Sequence, residues 1–475
     1  MTHVHRLSAT LDEPASVIGG KAHGLVTLMR LGLPVPPGFV IDTAACRTFL
    51  HTGRFPSSVD QALRELGVVA VSVRSGAAVS MPGMMDTVLN VGPPADARDA
   101  ADARDAADVG DAADVGDAAH VPDAADVRAA VERVFVSWNT PRAVTYRELH
   151  DIPHDLGTAV IVQTMVFGNR DDQRSASGVA FSRDPGTGEK VLFGEVLFGQ
   201  QGDAVVSGSS VTQPLAALAD REPTVWADLT DALNILEQHY HDVCHVEFTV
   251  ESGRLWFLQV RPGGLTGRAA VRAAVDLADE GLIDRRTAVS RVSARDVHLA
   301  RTPRISLTTA PDTLGDGLGP PDGGSDVIAS GSQVLARGQG ASPGVAAGRL
   351  AVTADRAARM AAAGPVVLVR PHTSPLDMHG LAAAAGVVAT RGGPTSHAAV
   401  VARSMGKPAV VSATTLLVDE AAACVRVGDR LIPEGTFLTI DGTGGDVVLG
   451  APGTIPGADD PHLIRLLEWG SAADV

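Results

Sequence analysis

Runs of β-branched residues alternate with alanine-rich segments in the C-terminal part of the chain, and this alternation limits the folds open to it. The runs GPVVLVRP, GVVATRG and PAVVS read as strands, and the segments LDMHGLAAAAG and SHAAVVARSMG between them read as helices. Strands that alternate with helices are typical of a parallel sheet built from βαβ units. A hairpin pattern, TFLTIDGTGGDVVLG, follows the last strand. Residues 335–450 are therefore predicted to form one compact α/β domain.

The second of these helices starts with a lone histidine, His397, behind the loop RGGPTS. Thr395 or Ser396 can cap the helix, and Gly392 and Gly393 permit a close backbone approach that a Cβ would block. The free N–H groups and the positive dipole end of a helix favour a bound phosphate. A histidine with a pKa of about 6.5 is largely neutral at pH 7, and its free nitrogen can attack phosphorus. The loop suits a histidine that accepts a phosphoryl group, and a capping histidine without chemistry is the open alternative.

An acidic tandem repeat interrupts the N-terminal half. The chain has 475 residues and a net charge of −16, and ten Asp and two Arg between Asp96 and Asp126 supply −8 of it. Units such as DAADVG contain too little apolar bulk to bury and lack the mixed ligands of a calcium loop. Residues 93–128 are therefore predicted to be a flexible or weakly helical insert between a first piece, 1–92, and a second, 129–265.

A second break in composition lies at Thr309–Gly331, where Gly, Pro and Asp dominate as they do in linkers. The segment TGRAAVRAAVDLADEG before it has apolar residues at helical spacing. Residues 266–334 are predicted to be a helix followed by a linker, and residues 451–475 a short helical tail.

Composition disfavours several classes of function. No concentrated basic face suggests nucleic-acid binding. No apolar run reaches the roughly 20 residues that span a bilayer, and the first residues contain no apolar core of a signal peptide. Cys46, Cys244 and Cys424 are odd in number and far apart, which argues for buried thiols in a reducing cytoplasm rather than for disulfides.

The string GGPTSHAAVVARSMGKPAVV resembles the phosphohistidine motif of enzymes that make or use phosphoenolpyruvate, and most of all that of the pyruvate, phosphate dikinase family. LVRPHTSPLDMHG and LTIDGTGGDVVLG are similar to the swivelling histidine domain of that family. The family usually has Met at the position of Pro394 and Cys at that of Ala409, and neither change touches the histidine. The resemblance implies that His397 is the catalytic residue.

The first 265 residues resemble the ATP-grasp nucleotide-binding module of the same family. The similar blocks begin at IGGKAHG, VSVRSGAAVSMPGMMDT, GTAVIVQTMV and CHVEFTVESGRLWFLQVRPGG. The strand through Gln163 resembles the hinge whose edge meets adenine. The resemblance implies that ATP is bound by eight residues, namely Lys21, Arg74, Gly83, Thr87, Gln163, Glu247, Gln259 and Arg261.

Two of these residue types suit their roles on chemical grounds. The fork of donors on Arg74 suits a phosphate, although a structural salt bridge would also explain an arginine between apolar strand residues. Glu247 and Gln259 lie on adjacent predicted strands, and a carboxylate and an amide on one face make an oxygen site suited to Mg²⁺.

The chain departs from the family pattern at several points. His245 stands where the family has an aspartate two residues before the metal-binding glutamate, and Ser210 stands where it has an arginine. The acidic repeat takes the place of a helical subdomain. The C-terminal barrel that binds pyruvate in the family is absent from the resemblance. These departures put Mg²⁺ affinity and nucleotide turnover in question.

The expected fold is a multidomain α/β and α+β protein, with an ATP-grasp module followed by a swivelling phosphohistidine domain. The expected activity is ATP-dependent phosphotransfer through phosphohistidine, with phosphate giving AMP and pyrophosphate, and with pyruvate or another small molecule as acceptor. A separate barrel protein could bind that acceptor. The chain could also form a homodimer. A small-molecule phosphotransferase of the antibiotic type and a non-catalytic, nucleotide-binding or regulatory homologue are the alternatives.

Overall fold

The computed structural model describes residues 3–55, 58, 62, 70–79, 81, 84–92, 124–171, 173–202, 212–302, 304–305, 333–394, 396–455 and 460–473. Gly83, Ser210, Thr395, the predicted linker at Thr309–Gly331 and the acidic repeat up to residue 123 lie outside the described residues. The chain divides into two compact units. Unit 1 comprises Met1–Asp184, Lys190–Val206 and Ser210–Gly264, and unit 2 comprises Pro185–Glu189, Ser207–Ser209 and Leu265–Val475.

The first sheet of unit 1 has five strands, which are β1 (Val4–Arg6), β2 (Gly38–Ile41), β3 (Val71–Gly76), β4 (Thr87–Val91) and β5 (Ala159–Thr164). The helices that precede β5 are α1 (Ala15–Ile18), α2 (Gly20–Arg30), α3 (Thr43–Thr52), α4 (Ala124–Ser137) and α5 (Pro141–Leu149). The strand order is β1-β2-β5-β3-β4 with antiparallel neighbours, so β5 lies in the centre and all six of its residues are buried.

Both faces of β5 are covered, because successive strand residues point to opposite sides. Val160 and Val162 lie in one apolar cluster with Phe135 of α4, and Ile161 lies in another with Leu25 of α2. Helix α4 begins within the last repeat unit, before the expected boundary at residue 129, because its valines join the first of these clusters.

The second sheet of unit 1 has the order β10-β9-β6-β7-β8, again with antiparallel neighbours. Its strands are β6 (Ala176–Phe181), β7 (Phe193–Phe198), β8 (Gln213–Pro214), β9 (Cys244–Glu251) and β10 (Arg254–Pro262). The helices α6 (Ala217–Arg221) and α7 (Pro223–Tyr240) lie between β8 and β9 in the chain. Leu229, Leu233 and Leu236 of α7 recur at helical spacing and pack into the same core as Phe248 of β9.

Unit 2 starts with a helical group. It contains α8 (Gly267–Asp279), α9 (Arg285–Arg291) and α10 (Ala294–Ala300), and its apolar cluster includes Leu463 and Leu466 from the C-terminal helix. The sequence predicted one helix in this region, and the structure has three. The short strand β11 (Arg304–Ile305) follows the group.

The rest of unit 2 is built on an eight-stranded sheet of order β12-β22-β21-β14-β15-β16-β17-β13. Its first six strands in the chain are β12 (Gln333–Arg337), β13 (Gln339–Ser342), β14 (Val345–Ala351), β15 (Val366–Arg370), β16 (Gly386–Ala389) and β17 (Ala409–Val411). A separate three-stranded sheet follows, with β18 (Leu416–Asp419), β19 (Cys424–Val427) and β20 (Arg430–Pro433). The last strands are β21 (Phe437–Asp441), β22 (Asp446–Leu449) and β23 (Thr454–Ile455).

Three helices cover one face of this sheet, and they are α11 (Ala354–Ala361), α12 (Met378–Ala383) and α13 (His397–Met405); the C-terminal helix is α14 (Pro461–Ala473). Val366 and Leu368 of β15 face them, whereas Val367 and Val369 face the three-stranded sheet. Strands β14 to β17 pair in parallel, so the predicted alternation of strands and helices is confirmed. No helix among the described residues is long and apolar enough to cross a membrane.

Candidate functional site

The hairpin β9–β10 gathers three predicted site residues and His245 on one face. Its register places Glu247 opposite Gln259 and His245 opposite Arg261, and residues that face each other across an antiparallel pair share a face. Burial along β9 alternates as the sequence predicts, because Val246 is fully buried and its two polar neighbours are half-buried. A carboxylate, an amide, an imidazole and a guanidinium therefore lie together.

Arg74 of β3 reaches the same hairpin. The register of β9 and β10 shifts between Phe257 and Gln259, and the carbonyl of Leu258 at this irregularity accepts a hydrogen bond of 3.0 Å from Nη1 of Arg74. Nη2 of Arg74 donates to Oε1 of Gln163. Nε of Arg74 is buried and has no hydrogen-bond partner among the described residues. Part of the guanidinium therefore holds the protein together, and part stays open to a ligand.

The structure places Gln163, expected from the resemblance to lie in the strand that meets adenine, inside the first sheet. Strand β5 is central, with Gly38 paired on one side of Gln163 and Ser72 on the other. The side chain is 1% exposed, and its Nε2 donates to the carbonyl of Pro36 at 2.8 Å. Both ends of the amide are thus occupied, so Gln163 can orient Arg74 but has no free edge for a base.

Charge is concentrated around Glu247. Burial, together with the positive charge of the neighbouring Arg74, lowers the pKa of Lys21 to about 7 although Glu247 opposes the shift. Burial would raise the pKa of Glu247, but Arg261, Lys21 and Arg74 together hold that pKa below its usual value. Arg74 and Arg261, with Lys21 about half protonated at pH 7, outweigh the single carboxylate and leave net positive charge, which suits an anionic phosphate chain.

Gln259 points to a missing binding partner. It is 2% exposed, and neither its Oε1 nor its Nε2 has a hydrogen-bond partner among the described residues. An unsatisfied buried polar group costs about 1–3 kcal/mol, so such an amide is normally hydrogen-bonded, and a ligand or water can supply the bond. Together with the carboxylate of Glu247, its carbonyl oxygen fits the hard oxygen ligands that Mg²⁺ takes.

The protein supplies only part of a metal site. Among the described residues, no group of three or more His, Cys, Asp and Glu side chains could hold a metal ion. This fits Mg²⁺ sites of nucleotide enzymes, in which one or two protein oxygens are completed by substrate phosphates and water. The imidazole of His245 lies beside this position, with its ring 5.1 Å from that of Phe181.

Two further predicted residues are less informative. Thr87 is exposed on the edge strand β4, directly opposite Arg74. Gly83 lies outside the described residues. Sequence reasoning missed Tyr146 of α5, a buried phenol within electrostatic range of Arg261. The segment PRAVTYREL carries a helix signal, but nothing in it points to the hairpin.

In unit 2, His397 is the first residue of α13, as predicted. Its Nδ1 lies 3.0 Å from Oγ1 of Thr373, which follows strand β15. Its Nε2 is buried without a hydrogen-bond partner among the described residues. Burial lowers the pKa of His397 to about 4, and Asp377 opposes this shift. The imidazole is therefore neutral at pH 7. Nε2 carries the free lone pair in the tautomer in which Nδ1–H donates to Oγ1 of Thr373.

The loop before His397 is fixed at several points. Gly392 has a φ of 76°, and its carbonyl accepts hydrogen bonds from the backbone N–H and the hydroxyl of Ser412. Arg403 donates to the carbonyls of Pro394 at 2.7 Å and Ala341 at 2.8 Å. Burial lowers the pKa of Arg403 to about 10. The sequence identified this loop, but it did not identify Thr373 or Arg403 as its supports.

The predicted cap of α13 agrees with the structure in its position but not in its hydrogen bond. Ser396 occupies the N-cap position, with φ −64° and ψ 161°, but its side chain makes no capping hydrogen bond. Thr395, the other candidate, lies outside the described residues.

Two family models match the chain. The pyruvate phosphate dikinase AMP/ATP-binding domain matches residues 15–69 and 57–225, and the mobile domain of PEP-utilising enzymes matches residues 362–445. The chain therefore combines an AMP/ATP-binding domain with the mobile domain of PEP-utilising enzymes. The chain belongs to the pyruvate, phosphate dikinase family. The predicted fold class, an ATP-grasp module followed by an α/β phosphohistidine domain, is confirmed at this level.

Similar full-length proteins are known from plants and bacteria. Pyruvate, phosphate dikinase 2 of Oryza sativa subsp. japonica is 36% identical over 527 residues, which cover 95% of this chain and 57% of that protein. Pyruvate, phosphate dikinase of Rhizobium meliloti (strain 1021) is 36% identical over 545 residues, covering 96% and 58%. The chloroplastic enzyme of Flaveria trinervia is 35% identical over 533 residues, covering 96% and 54%. The chain thus spans little more than half the length of these relatives.

Proposed function

We propose that this chain is an ATP-dependent phosphotransferase that forms phosphohistidine at His397. The observation that carries the proposal is the state of the imidazole. Burial keeps the ring neutral, and Nε2 has no partner at a helix N-terminus. In the tautomer that the proposal uses, Nδ1–H donates to Oγ1 of Thr373 and Nε2 carries the free lone pair. A neutral nitrogen with a free lone pair can attack phosphorus, and the first-turn N–H groups can receive the anionic phosphoryl oxygens.

The nucleotide side of the reaction belongs to the β9–β10 hairpin and its neighbours. Lys21, Arg74 and Arg261 supply the positive charge that binds the triphosphate, and Glu247 and Gln259 hold Mg²⁺ through oxygen. Bound Mg²⁺ would neutralise phosphate charge and orient the triphosphate for displacement. Thr87 and Gly83 complete the expected set. Gln163 acts through Arg74.

The complete reaction follows the names of the relatives. ATP and inorganic phosphate would yield AMP and pyrophosphate while Nε2 of His397 takes up one phosphoryl group. Pyruvate or another small molecule would then take that group from the histidine. An acceptor-binding barrel supplied by another protein, and association of two copies of the chain, are part of the same proposal. The predicted domain boundaries and the cytoplasmic location, which the three buried free cysteines support, also belong to it.

The test uses ATP labelled on the β-phosphate, with Mg²⁺ and inorganic phosphate. We expect label on the protein that is labile in acid and stable in base. His397→Ala should carry none. His379→Ala is the matched control, since His379 is an exposed histidine of the same unit, paired with Asp355. Its labelling should equal that of the wild type. Label that persists in His397→Ala would overturn the assignment of the histidine. An unlabelled wild-type protein would favour the non-catalytic alternative.

A further inference from the structure

The N-terminus of α13 holds a second polar atom with no partner. Oγ of Ser396 and Nε2 of the adjacent His397 are both buried and lack a hydrogen-bond partner among the described residues. Ser396 is only 4% exposed. Buried hydroxyls are nearly always hydrogen-bonded, and an exception points to strain or to a ligand.

Helix capping does not explain this hydroxyl. Ser396 has the extended backbone of an N-cap residue, yet its side chain accepts no backbone N–H. The other hydroxyl caps in unit 2 divide into two groups. The side chains of Ser293, Thr353 and Ser374 each accept a backbone N–H, whereas Thr266 before α8 makes no capping hydrogen bond and is half-buried. Ser396 therefore differs from the first three in lacking the bond and from Thr266 in being buried.

The loop that carries Ser396 is held in place independently of its hydroxyl. Arg403 binds the carbonyl of Pro394, and the backbone N–H of Ser396 donates to the carbonyl of Gly393 at 3.0 Å. The backbone carbonyl of Ser396 accepts from the N–H of Val400 at 3.0 Å. The hydroxyl is thus presented on a fixed backbone, as a preorganised donor should be.

We propose that Ser396 is a catalytic residue whose hydroxyl donates a hydrogen bond to the phosphoryl group carried by His397. This inference rests on the proposed function. When Nε2 attacks the β-phosphorus, the N–P bond forms, the P–O bond to AMP breaks, and the AMP oxygen keeps the electron pair. The γ-phosphoryl group then passes to inorganic phosphate, which leaves as pyrophosphate. Negative charge on the non-bridging oxygens is then shared between the Ser396 O–H and the free N–H groups of the first turn. Ser396 keeps its proton throughout.

The test compares Ser396→Ala with Ser396→Thr, which keeps a hydroxyl at the same position. Ser404→Ala is the matched control, since Ser404 is an exposed residue of the same helix whose hydroxyl binds only the carbonyl of Val401. The readouts are the initial rate of phosphohistidine formation, the rate of its spontaneous hydrolysis and the ³¹P chemical shift of the labelled protein.

We expect Ser396→Ala to slow phosphohistidine formation by about 10- to 100-fold, the range that a charge-assisted hydrogen bond accounts for. Its phosphoryl resonance should shift, and its melting temperature should stay equal or rise, because an unpaired buried hydroxyl is removed. Ser396→Thr and Ser404→Ala should keep near wild-type rates.

The outcomes distinguish a failure of this inference from a failure of the proposed function on which it rests. Wild-type rates and an unchanged resonance in Ser396→Ala, in a protein that still labels at His397, would overturn the role of Ser396 alone. A lower melting temperature with an unchanged rate would make it a structural cap. Equal loss of rate in the Ala and Thr variants would also count against a hydroxyl-specific role. A wild-type protein without phosphohistidine would overturn the proposed function itself.

Discussion

Replacing Arg403 with methionine should loosen the loop that precedes His397 without changing the histidine itself. The guanidinium joins two stretches of backbone that are distant in sequence, since it binds the carbonyl of Pro394 in the loop and that of Ala341 in β13. No carboxylate pairs with it among the described residues. Methionine fills similar space and offers no donor, so both carbonyls lose their partner.

The magnitude follows from those two bonds. An orphaned buried carbonyl costs about 1–3 kcal/mol, and the variant no longer buries a cation without a counter-charge, which offsets part of the loss. A net loss of about 2–4 kcal/mol is expected. At roughly 2–4 °C per kcal/mol for a unit of about 200 residues, the melting temperature of unit 2 should fall by about 4–16 °C. Phosphohistidine formation should fall as well, because the loop is less well placed.

The assay pairs calorimetry with β-phosphate labelling at a temperature where both proteins are folded. Arg403→Lys keeps the charge and should recover part of both losses, since an ammonium cannot bridge two carbonyls with the same planar fork. Arg359→Met is the control, because Arg359 is an exposed residue of α11 in the same unit. If Arg403→Met melts and labels like the wild type, the bridge does not position the loop and this reasoning is wrong.

Three further predictions follow from the sites. The pKa of His397 is about 4 in the folded chain and about 6.5 in the unfolded chain, so the unfolded chain binds more protons between these values. The free energy of unfolding, measured with urea, should therefore fall as pH drops from 6.5 to 4, and His397→Ala should lack this part of the pH dependence. A Cβ on Gly19, which has a φ of 80°, would lie 1.6 Å from the carbonyl oxygen of Gly76, so Gly19→Ala should melt far below Gly32→Ala, where φ is 76° but nothing lies within 4 Å. His245→Asp should raise the affinity for Mg²⁺ relative to Mn²⁺ in titration calorimetry with ATP present, because Mg²⁺ prefers oxygen to nitrogen, and an unchanged ratio would place the imidazole outside the metal site.

The parallel part of unit 2 could be predicted from sequence because its signals are local. GPVVLVRP and PAVVS are short β-branched runs bounded by Gly or Pro, and the alanine-rich segments between them have helical spacing. The strands β12, β13 and β22 pair across distant positions in the same sheet, and no local pattern specifies such pairings. The sequence predicts one helix where the structure has three between Gly267 and Ala300, because α9 and α10 are too short to show a clear helical period.

The candidate sites divide in the same way. His397 and the hairpin face with Glu247 and Gln259 follow from motif and strand alternation, which are properties of continuous sequence. Thr373 and Arg403 do not, because each acts on the histidine loop through a contact formed only in the folded sheet. Gln163 belongs to both groups. Its block matched a pattern, but the strand order places it in the sheet centre, where Arg74 and a backbone carbonyl use both ends of its amide.

The two sites share one physical device, which is a polar group buried before its ligand arrives. In unit 1 the amide of Gln259 and Nε of Arg74 are buried without partners, and in unit 2 Nε2 of His397 and Oγ of Ser396 are. Each unpaired group lowers the stability of the free protein, and under the proposed function a phosphate-bearing ligand would recover that cost by hydrogen-bonding to these groups. Binding energy is then concentrated at the atoms that hold or receive the phosphoryl group. Such a group should therefore contribute more to phosphoryl transfer than to folding, which is the opposite of what the bridging guanidinium of Arg403 should do.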